Sequence, residues 1–557
     1  MNEAPQPPVS HDAQSSATAC WRWTSSQSLL VALLLILAYA PTLGNDFTLD
    51  DEVVKHGAYP RQLTEAIYLL WEPVPHGQLL HYRPVTFATF ALDHALAGNR
   101  PGWYHLTNLA LAILATLLAI RLLACWLPHF GALAAGLLFG LLPGHSEAII
   151  SIHNRSQMLS AIGMFATLIC FCKVCAMGSS SRRWQIWGAI SLWLGCLAKE
   201  SALVTPLLAV LVIAWQRPAR SRYPAIGLAI LWQTAAGLAY LALRYQALGT
   251  LGMPGVEGFV AEAGLPTRYV NGCRALTHYL RLICFPYPLT CDYPWQPVTW
   301  HVTALVWPFV AIVMAWLLWH KSLMARTIAF GWWWLVICLT PVLHIAPLQI
   351  PFAERSLYPA SLGMAIVWAL LLSRLARRQW LWLAITLTFM VGIDTNRSCD
   401  WSSNGVLWRS TLATTPDSFR ARIYLGAEQA RSGKNLAMRG ERQWATQAWQ
   451  LAIGWYEAAL QHRPNRLNQA LIHHSLGQIR LWLGQRNQAK TSFAAVLALY
   501  PNYGPTWFVL GDVAYRAGRL EEALACYQKI PGPRNSWDQS YGPVTERIGK
   551  CRMLQQK

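Results

Sequence analysis

The sequence predicts an all-α protein in which a polytopic transmembrane helical bundle of about eleven helices is followed by an α-solenoid of helical repeats. Three observations predict this fold class. The 557 residues are 54% hydrophobic and only 13% charged, which is too apolar for an ordinary soluble protein. The 29 tryptophans suit the boundary between lipid tails and water. Beyond residue 396 acids and bases mix, and small and aromatic residues recur with a fixed period.

Eleven apolar stretches approach the roughly 20 residues that a helix needs to cross a bilayer. They cover residues 28–44, 104–126, 130–144, 157–177, 184–198, 201–216, 225–247, 303–319, 327–346, 356–373 and 379–395. Residues 1–27 are then a cytoplasmic N-terminal segment. A cleaved signal peptide is the alternative, but no cluster of positive charge precedes the first apolar run, so that run is interpreted as a membrane helix.

The distribution of charge predicts the topology. The loops 178–183, 216–224, 320–326 and 374–378 contain Lys or Arg but no acid, so they are predicted to be cytoplasmic. Parity places four other segments on the opposite face: the first external loop 45–103, residues 143–155, Lys199-Glu200, and residues 352–358. Residues 270–290 must then not cross, and Arg274, His278 and Arg281 at helical spacing predict a helix lying in the interface. Ionisable groups beside a bilayer are costly, so they mark function or mutual pairing.

The overall charge and the cysteines indicate no further site. The formal charge of +19 is explained by basic residues on the cytoplasmic side, so no nucleic-acid partner is predicted. The 13 cysteines are scattered, many of them in apolar runs, without the His and Cys spacing of a zinc site. They are predicted to be small core residues.

The last part of the chain, residues 397–557, contains a repeat of 34 residues. Gly477, Gly484, Ala489 and Phe493 are matched 34 positions later by Gly511, Gly518, Ala523 and Tyr527. Small residues that let two helices approach and an aromatic residue that fills the gap are typical of tetratricopeptide repeats. A degenerate earlier copy is predicted from residue 425 to residue 464, its halves separated by an insertion at 432–446. Such stacks present a groove that binds peptides or protein segments.

The ordered motifs of the chain resemble those of the transmembrane and tetratricopeptide-repeat O-mannosyltransferases and their bacterial relatives, within the GT-C glycosyltransferase class. They are "FTLDDEVV" after the first helix, "YRPVTFATFALDHALAGNRPGWYHLTNLALAILATLL", "LLPGHSEAIISIHNRSQMLSAI", "CLAKESALVTPLLAVLV", "FAERSLYPASLG" and the repeats. The resemblance implies a GT-C-like transmembrane domain at residues 28–396. It also implies transfer of mannose or a similar hexose from a polyprenyl-phosphate donor to an acceptor hydroxyl on the non-cytoplasmic face, with inversion.

An inverting transfer needs one carboxylate that takes the proton of the acceptor hydroxyl. Asp50 is predicted to be this general base. Asp51 is predicted to position the acceptor or to tune Asp50, because neighbouring carboxylates raise each other's proton affinity. The alternative is that either acid caps the helix that begins near Val53.

The leaving phosphate gathers negative charge, so fixed cations should surround it. Arg83, Lys199 and Arg355 are predicted to bind the donor phosphate, since Arg offers a bidentate fork and Lys a point charge. The alternative is that Lys199 pairs with Glu200 and Arg355 with Glu354. Adjacent residues on a helix do not face each other, which weakens that alternative.

Four further polar residues of the same face, His145, Glu147, Glu200 and Glu354, are predicted to bind substrate. A divalent metal held by His145, Glu147 and Asp50 is an alternative that is not favoured, because the ligand set is thin. A helix cap is an alternative role for Glu147. No metal site is predicted, and no cofactor beyond the lipid-linked sugar donor.

The chain is therefore predicted to be a polyprenyl-phosphate-sugar-dependent glycosyltransferase. Its partners would be the membrane lipid donor and a protein or glycan acceptor held by the repeats. Alternatives are a non-catalytic membrane scaffold that recruits partners through the repeats, and a polymerase or ligase of surface polysaccharide. A transporter ranks lower, because the charges lie at one rim of the bundle. The predicted location is the bacterial inner membrane, with the site and the repeats in the periplasm; the lumenal face of the endoplasmic reticulum is the alternative.

Overall fold

The computed structural model describes residues 25–56, 63–76, 79–252, 263–345, 352–462, 464–530 and 544–555. The described chain is helical almost throughout, which confirms the all-α class. A small antiparallel hairpin within residues 45–103 joins the strands Val74–His76 and Leu79–His81, with Val74 opposite His81. The predicted N-terminal segment 1–27 lies almost entirely outside the described residues.

Each of the eleven predicted apolar spans corresponds to a helix. The helices are Ser25–Tyr39, Pro101–Leu123, His129–Gly140, Arg155–Met177, Arg182–Ala198, Thr205–Gln216, Tyr223–Leu248, Thr303–Trp319, Leu323–Leu339, Leu362–Ser373 and Gln379–Asp400. Several begin with Pro in the first turn, where its missing N–H costs no helical hydrogen bond. The apolar pattern therefore predicted the helices of this domain correctly.

By length and composition, five helical segments of the described chain can each cross a membrane. They are Ser25–Gly44, Pro101–Leu123, Arg155–Met177, Arg220–Leu248 and Leu323–Val342. Two pairs bent by 50° and 63°, His129–Gly140 with Pro143–Ile150 and Glu354–Ala360 with Leu362–Ser373, raise the number to seven if each pair is one span. The chain is thus an integral multi-pass membrane protein, and eleven crossings stay a prediction.

Glycines bring the helices of this bundle close together. A Cβ on Gly331 would lie 2.3 Å from the carbonyl oxygen of Gly363, and one on Gly163 would lie 2.6 Å from the Cα of Gly195. Small residues at helix crossings are the usual way to pack helices in lipid, where no hydrophobic force drives the helices together. These contacts join Leu323–Leu339 to Leu362–Ser373 and Arg155–Met177 to Arg182–Ala198.

Shorter elements cover one end of the bundle. They are the 3₁₀ turns Leu49–Asp51, Leu63–Leu70, Pro143–His145, Glu200–Val204 and Glu354–Ser356, and the helices Glu52–His56, Pro84–Ala97, Ser146–Ile150, Leu357–Ala360 and Leu265–Cys284. The last of these confirms that much of 270–290 is helical. Its position in the membrane interface stays a prediction.

The repeats form helical hairpins. Their helices are Phe419–Met438, Arg442–Gln461, Arg466–Trp482, Arg486–Leu499, Gly504–Arg516 and Leu520–Gln528; Asn404–Thr414 precedes them and Val544–Gln555 follows. A Cβ on Gly477 would lie 2.5 Å from the Phe493 ring, and one on Gly511 would lie 2.6 Å from the Tyr527 ring. The 34-residue pattern therefore predicted which side chains meet inside each hairpin.

The first repeat is a longer hairpin than the two that follow. The predicted insertion, residues 432–446, forms the helical tip of the hairpin Phe419–Met438 and Arg442–Gln461. Gly426 faces Tyr456, and a Cβ on Gly433 would lie 2.5 Å from Trp449. Gly440 at the turn has φ +85°, which glycine adopts without strain. The inserted residues therefore extend both helices by about two turns.

Candidate active site

Asp51 is fully buried, and its carboxylate binds neighbouring segments of the chain. Its carboxylate accepts hydrogen bonds from the backbone N–H of His153 at 2.7 Å, from the Ser151 hydroxyl at 3.1 Å and from the backbone N–H of Thr48 at 3.4 Å. Burial raises the pKa of Asp51 to about 7, although these hydrogen bonds favour the charged form. Thr48 is the N-cap of the turn Leu49–Asp51 and Asp51 is its third residue, so the alternative in which an acid caps the helix near Val53 does not describe Asp51.

Asp50, the preceding residue, opens onto a small cavity instead. The cavity has a volume of about 30 Å³, which is room for about two water molecules. Its charged lining consists of Asp50, Glu147, Glu354, Arg355 and Arg420; the other lining residues are Leu49, Thr290, Cys291, Tyr293, Phe352 and Ala353. Of the two adjacent acids, Asp50 lines this cavity and Asp51 does not.

Arg355 and Glu147 form an ion pair at this cavity. One carboxylate oxygen of Glu147 accepts the backbone N–H of Arg355 at 2.9 Å, and the other accepts from its guanidinium. The side chains are 19% and 6% exposed, so the pair is shielded but Arg355 retains an open edge. The alternative pairing of Arg355 with the adjacent Glu354 is therefore wrong, because these neighbours point in different directions.

Glu354 holds a different segment. It is almost fully buried, and one of its oxygens accepts the Tyr293 hydroxyl at 2.6 Å and the backbone N–H of Thr290 at 2.8 Å. Arg397 lies 3.9 Å from the other oxygen. Glu354 thus holds residues 290–293 in place at the wall of the cavity. Its predicted contact with substrate stays a prediction.

Lys199 lies within electrostatic range of two ion pairs, Arg83 with Glu200 and Arg355 with Glu147. Arg83 binds Glu200 through two contacts, at 3.0 and 3.4 Å, while the Lys199 ammonium group makes no hydrogen bond or ion pair within the described chain. Burial lowers the pKa of Lys199 well below its usual value, and the charges of Arg83 and Arg355 lower it further. Lys199 therefore does not pair with Glu200 as in the alternative above, and its ammonium group remains available for a ligand.

His145 is separate from the cavity. It is fully buried, its Nε2 lies 2.8 Å from the Ser361 hydroxyl, and its ring packs against Tyr358 and Phe139 with centroids 4.6 and 5.1 Å apart. Within the described residues no three His, Cys, Asp or Glu side chains are grouped as metal ligands would be. His145 therefore supports the wall behind Glu147, and its predicted role in substrate binding stays a prediction.

Two residues of this site escaped the sequence analysis. Tyr293 lines the cavity from the segment between Leu265–Cys284 and Thr303–Trp319, and Arg420 lines it from the first repeat helix. Arg420 carries a detectable signal, because a cation in the first turn of a helix opposes the helix dipole and needs a partner elsewhere. That partner is Asp292, 3.2 Å away.

The chain is similar to curated protein O-mannosyl-transferases, whereas no family model matches it. It is 29% identical over 177 residues to TMTC2 of Mus musculus, covering 30% of this chain and 21% of that protein. It is 24% identical to F38B6.6 of Caenorhabditis elegans, covering 72% and 59%, and 20% identical to TMTC3 of Homo sapiens, covering 83% and 54%. The chain thus spans at most about three fifths of these relatives, and the predicted resemblance is confirmed.

Two solved structures are also similar to the chain. The crystal structure of ArnT from Cupriavidus metallidurans bound to undecaprenyl phosphate covers 81% of this chain with 80% of its own, at 14% identity and a TM-score of 0.40. The apo structure of the same protein covers 94% with 90% of its own, at 13% identity and a TM-score of 0.43.

Proposed function

We propose that this protein is an inverting glycosyltransferase that moves mannose or a similar hexose from a polyprenyl-phosphate donor to an acceptor hydroxyl on the non-cytoplasmic face of the membrane. The observation that carries the proposal is that Asp50 and Arg355 line one cavity although they are distant in sequence. A base and a cation that meet in one cavity are what transfer from a phosphate requires. The likeness to O-mannosyl-transferases supports the choice of reaction.

In this reaction Asp50 takes the proton of the acceptor hydroxyl as the acceptor oxygen attacks the anomeric carbon of the sugar. The bond from that carbon to the phosphate oxygen breaks, and the polyprenyl phosphate leaves with the bonding electrons. Attack from the face opposite the leaving group inverts the anomeric carbon, so a second carboxylate nucleophile is unnecessary. Asp50 suits the role of base because it faces the cavity, whereas Asp51 is enclosed by hydrogen bonds.

The donor phosphate would meet Lys199 and Arg355 first. The Lys199 ammonium group makes no hydrogen bond or ion pair within the described chain, and Arg355 has an open edge beyond its pair with Glu147. Arg83 is engaged by Glu200, so we assign it the weaker contact of the three. The cavity itself holds about two water molecules, so both substrates have to extend out of it or widen it.

The proposed acceptor is a hydroxyl of a protein or glycan that the repeats present, and the proposed location is the bacterial inner membrane with this site in the periplasm. We propose no metal and no cofactor beyond the lipid-linked donor. The mannosyl choice rests on the names of the relatives, and the repeats supply a groove of the kind that holds protein segments.

Purified protein in nanodiscs, supplied with mannosyl phosphate or diphosphate polyprenols and a mixed peptide and glycan acceptor, tests the proposal. We expect transfer from the monophosphate alone, and loss of at least about a hundredfold in Asp50→Asn. Asp46→Asn, in the same loop but outside the cavity, is the matched control. Transfer from the diphosphate alone would favour a polysaccharide polymerase or ligase. Full activity in Asp50→Asn would reject Asp50 as the base, and absence of transfer with intact partner binding would favour a scaffold.

A further inference from the structure

The loop that carries Asp50 is held from both sides. On the membrane side, Asp51 is fixed by His153 and Ser151. On the repeat side, the backbone N–H of Leu49 donates to the side-chain oxygen of Asn404 at 2.7 Å, and Glu52 pairs with Arg431 at 3.2 Å. Asp50 therefore lies between two anchors, and one of them belongs to the helices that begin the repeat domain.

The backbone before Asp50 is in an unusual conformation. Leu49 has φ +53°, in the left-handed region that a leucine rarely adopts. Such a residue persists only where its surroundings hold it, and such residues cluster at functional sites. Asn404 supplies the hydrogen bond to Leu49, while Trp408 lies in a buried cluster against which the Leu49 side chain packs. Contacts with the helix Asn404–Thr414 therefore hold the backbone conformation of Leu49, and with it the orientation of the Asp50 side chain.

Arg420 acts on the same residue from the next helix. Its guanidinium lies 3.2 Å from Asp292, which also accepts the Ser418 hydroxyl at 2.6 Å. Burial opposes the positive charge, but Asp292 raises the pKa of Arg420 above its usual value, so Arg420 remains charged. Arg420 lines the cavity and lies within electrostatic range of Asp50. A fixed cation that lines the same cavity as a general base attracts its carboxylate and so helps to hold it in one place.

Residues 290–293 connect Arg420 with the other wall of the cavity. Cys291 contacts the Thr411 hydroxyl at 2.9 Å, and Thr290 lies 3.4 Å from the Thr415 hydroxyl. The same segment binds Glu354 through Thr290 and Tyr293. A movement of the first repeat helices would therefore displace both residues 290–293 and Glu354, which lie on different walls of the cavity.

We infer that Asn404 and Arg420, from the two helices that begin the repeat domain, are positioning residues for Asp50. The transfer site is then built jointly by the membrane domain and the repeat domain, and the repeats do more than hold the acceptor. This inference rests on the proposed function for the role of Asp50, whereas the anchoring of the loop can be measured without it.

Steady-state kinetics in nanodiscs provides the first test. We expect Arg420→Gln and Asn404→Ala to lower kcat at least about tenfold, because a displaced base loses catalysis more than binding. The KM for donor and acceptor should change less than about twofold, since neither residue is assigned to bind them. Arg420→Lys should retain much of the activity, and Lys434→Gln, an exposed cation on the same helix, should retain all of it.

Hydrogen exchange of the substrate-free full-length protein provides a test that is independent of activity. We expect the peptide spanning residues 46–56 to exchange faster in Asn404→Ala and Arg420→Gln than in wild type, and unchanged in Lys434→Gln. Exchange unchanged in both variants, or a rise in acceptor KM with kcat unchanged, would overturn the inference. Inactive wild type with altered exchange in the variants would instead overturn the proposed function and leave the anchoring intact.

Discussion

The repeat domain and the charged site are stabilised in opposite ways. In the repeats the decisive contacts lie within one hairpin, as when Gly477 meets Phe493, and they consist of steric fit without charge. In the site the partners come from distant parts of the chain: Glu147 and Arg355 are 208 residues apart, and Arg83 and Glu200 are 117 apart. The repeats should therefore respond to volume and the site to charge.

The largest expected effect comes from breaking the pair of Arg355 and Glu147. Arg355→Gln leaves the buried Glu147 carboxylate without its cation, which typically costs about 3–5 kcal/mol. It also removes a predicted ligand of the donor phosphate. We expect transfer to fall at least about a hundredfold and the unfolding temperature to fall, measured by donor turnover and by intrinsic fluorescence.

A double variant separates these two causes. Arg355→Gln combined with Glu147→Gln contains no uncompensated charge, so we expect much of the lost thermal stability to return. Transfer should stay low, because the proposed phosphate ligand is still missing. If transfer returned together with stability, the pair would be structural and Arg355 would have no role at the phosphate.

The second effect tests the steric fit in the repeats. Gly477→Val places a side chain where a Cβ already lies 2.5 Å from the Phe493 ring. Overpacking of this kind costs about 1–3 kcal/mol. We expect faster hydrogen exchange in the helix Arg466–Trp482 of the full-length protein. Gly454→Ala, with no atom within 4 Å of the added Cβ, is the control and should be neutral or stabilising. Equal effects of both variants would contradict the steric account.

The third effect concerns Asp51, a charged group in a packed, buried setting. Its pKa is about 7 in the folded protein and near 3.8 when exposed, so the folded state holds the proton more tightly. The stability that Asp51 contributes is present below its unfolded pKa and is lost as pH rises through its folded pKa. Between about pH 5.5 and 7 this loss is about 2 kcal/mol.

Asp51→Asn isolates this contribution, because asparagine cannot lose a proton over this range. We expect the free energy of unfolding of wild type to fall relative to that of the variant as pH rises. Chemical denaturation followed by fluorescence measures it. Parallel curves for the two proteins would show that Asp51 does not titrate in this range.

The same contrast explains how far the sequence could predict the structure. Local periodicity predicted all eleven apolar helices and the contact of Gly511 with Tyr527. Asp50, Glu147 and Arg355, which the parity of the predicted crossings assigns to one face, line one cavity, while the crossings themselves stay a prediction. The actual ion pairs could not be predicted, because they depend on how distant loops fold back on one another.

The repeat domain presented the converse difficulty. The interrupted period predicted an insertion at residues 432–446 but not its structure, in which Gly433 packs against Trp449 in a longer hairpin. A helical hairpin can grow at its tip by whole turns without disturbing its base. The position of Arg420 at the cavity could not be predicted, because its local sequence does not indicate that it pairs with Asp292.

The smallest expected effect is a pH dependence of donor binding at Lys199. Burial and the positive charges of Arg83 and Arg355 lower the pKa of this lysine, so the empty site favours its neutral form as pH rises. A phosphate needs the charged form, so binding must take up a proton. Where Lys199 is neutral in the empty site, we expect donor affinity to weaken by up to about tenfold per pH unit.

Lys199→Arg is the matched variant, because a guanidinium stays protonated throughout this range. Titration of a short-chain mannosyl-phosphate polyprenol into protein in nanodiscs should give a flatter dependence of affinity on pH than in wild type. An identical slope would remove Lys199 from the phosphate site and leave Arg355 and Arg83 as its candidate ligands. A flatter slope would show that Lys199, which pairs with no carboxylate among the residues that the structure describes, receives its partner from the substrate.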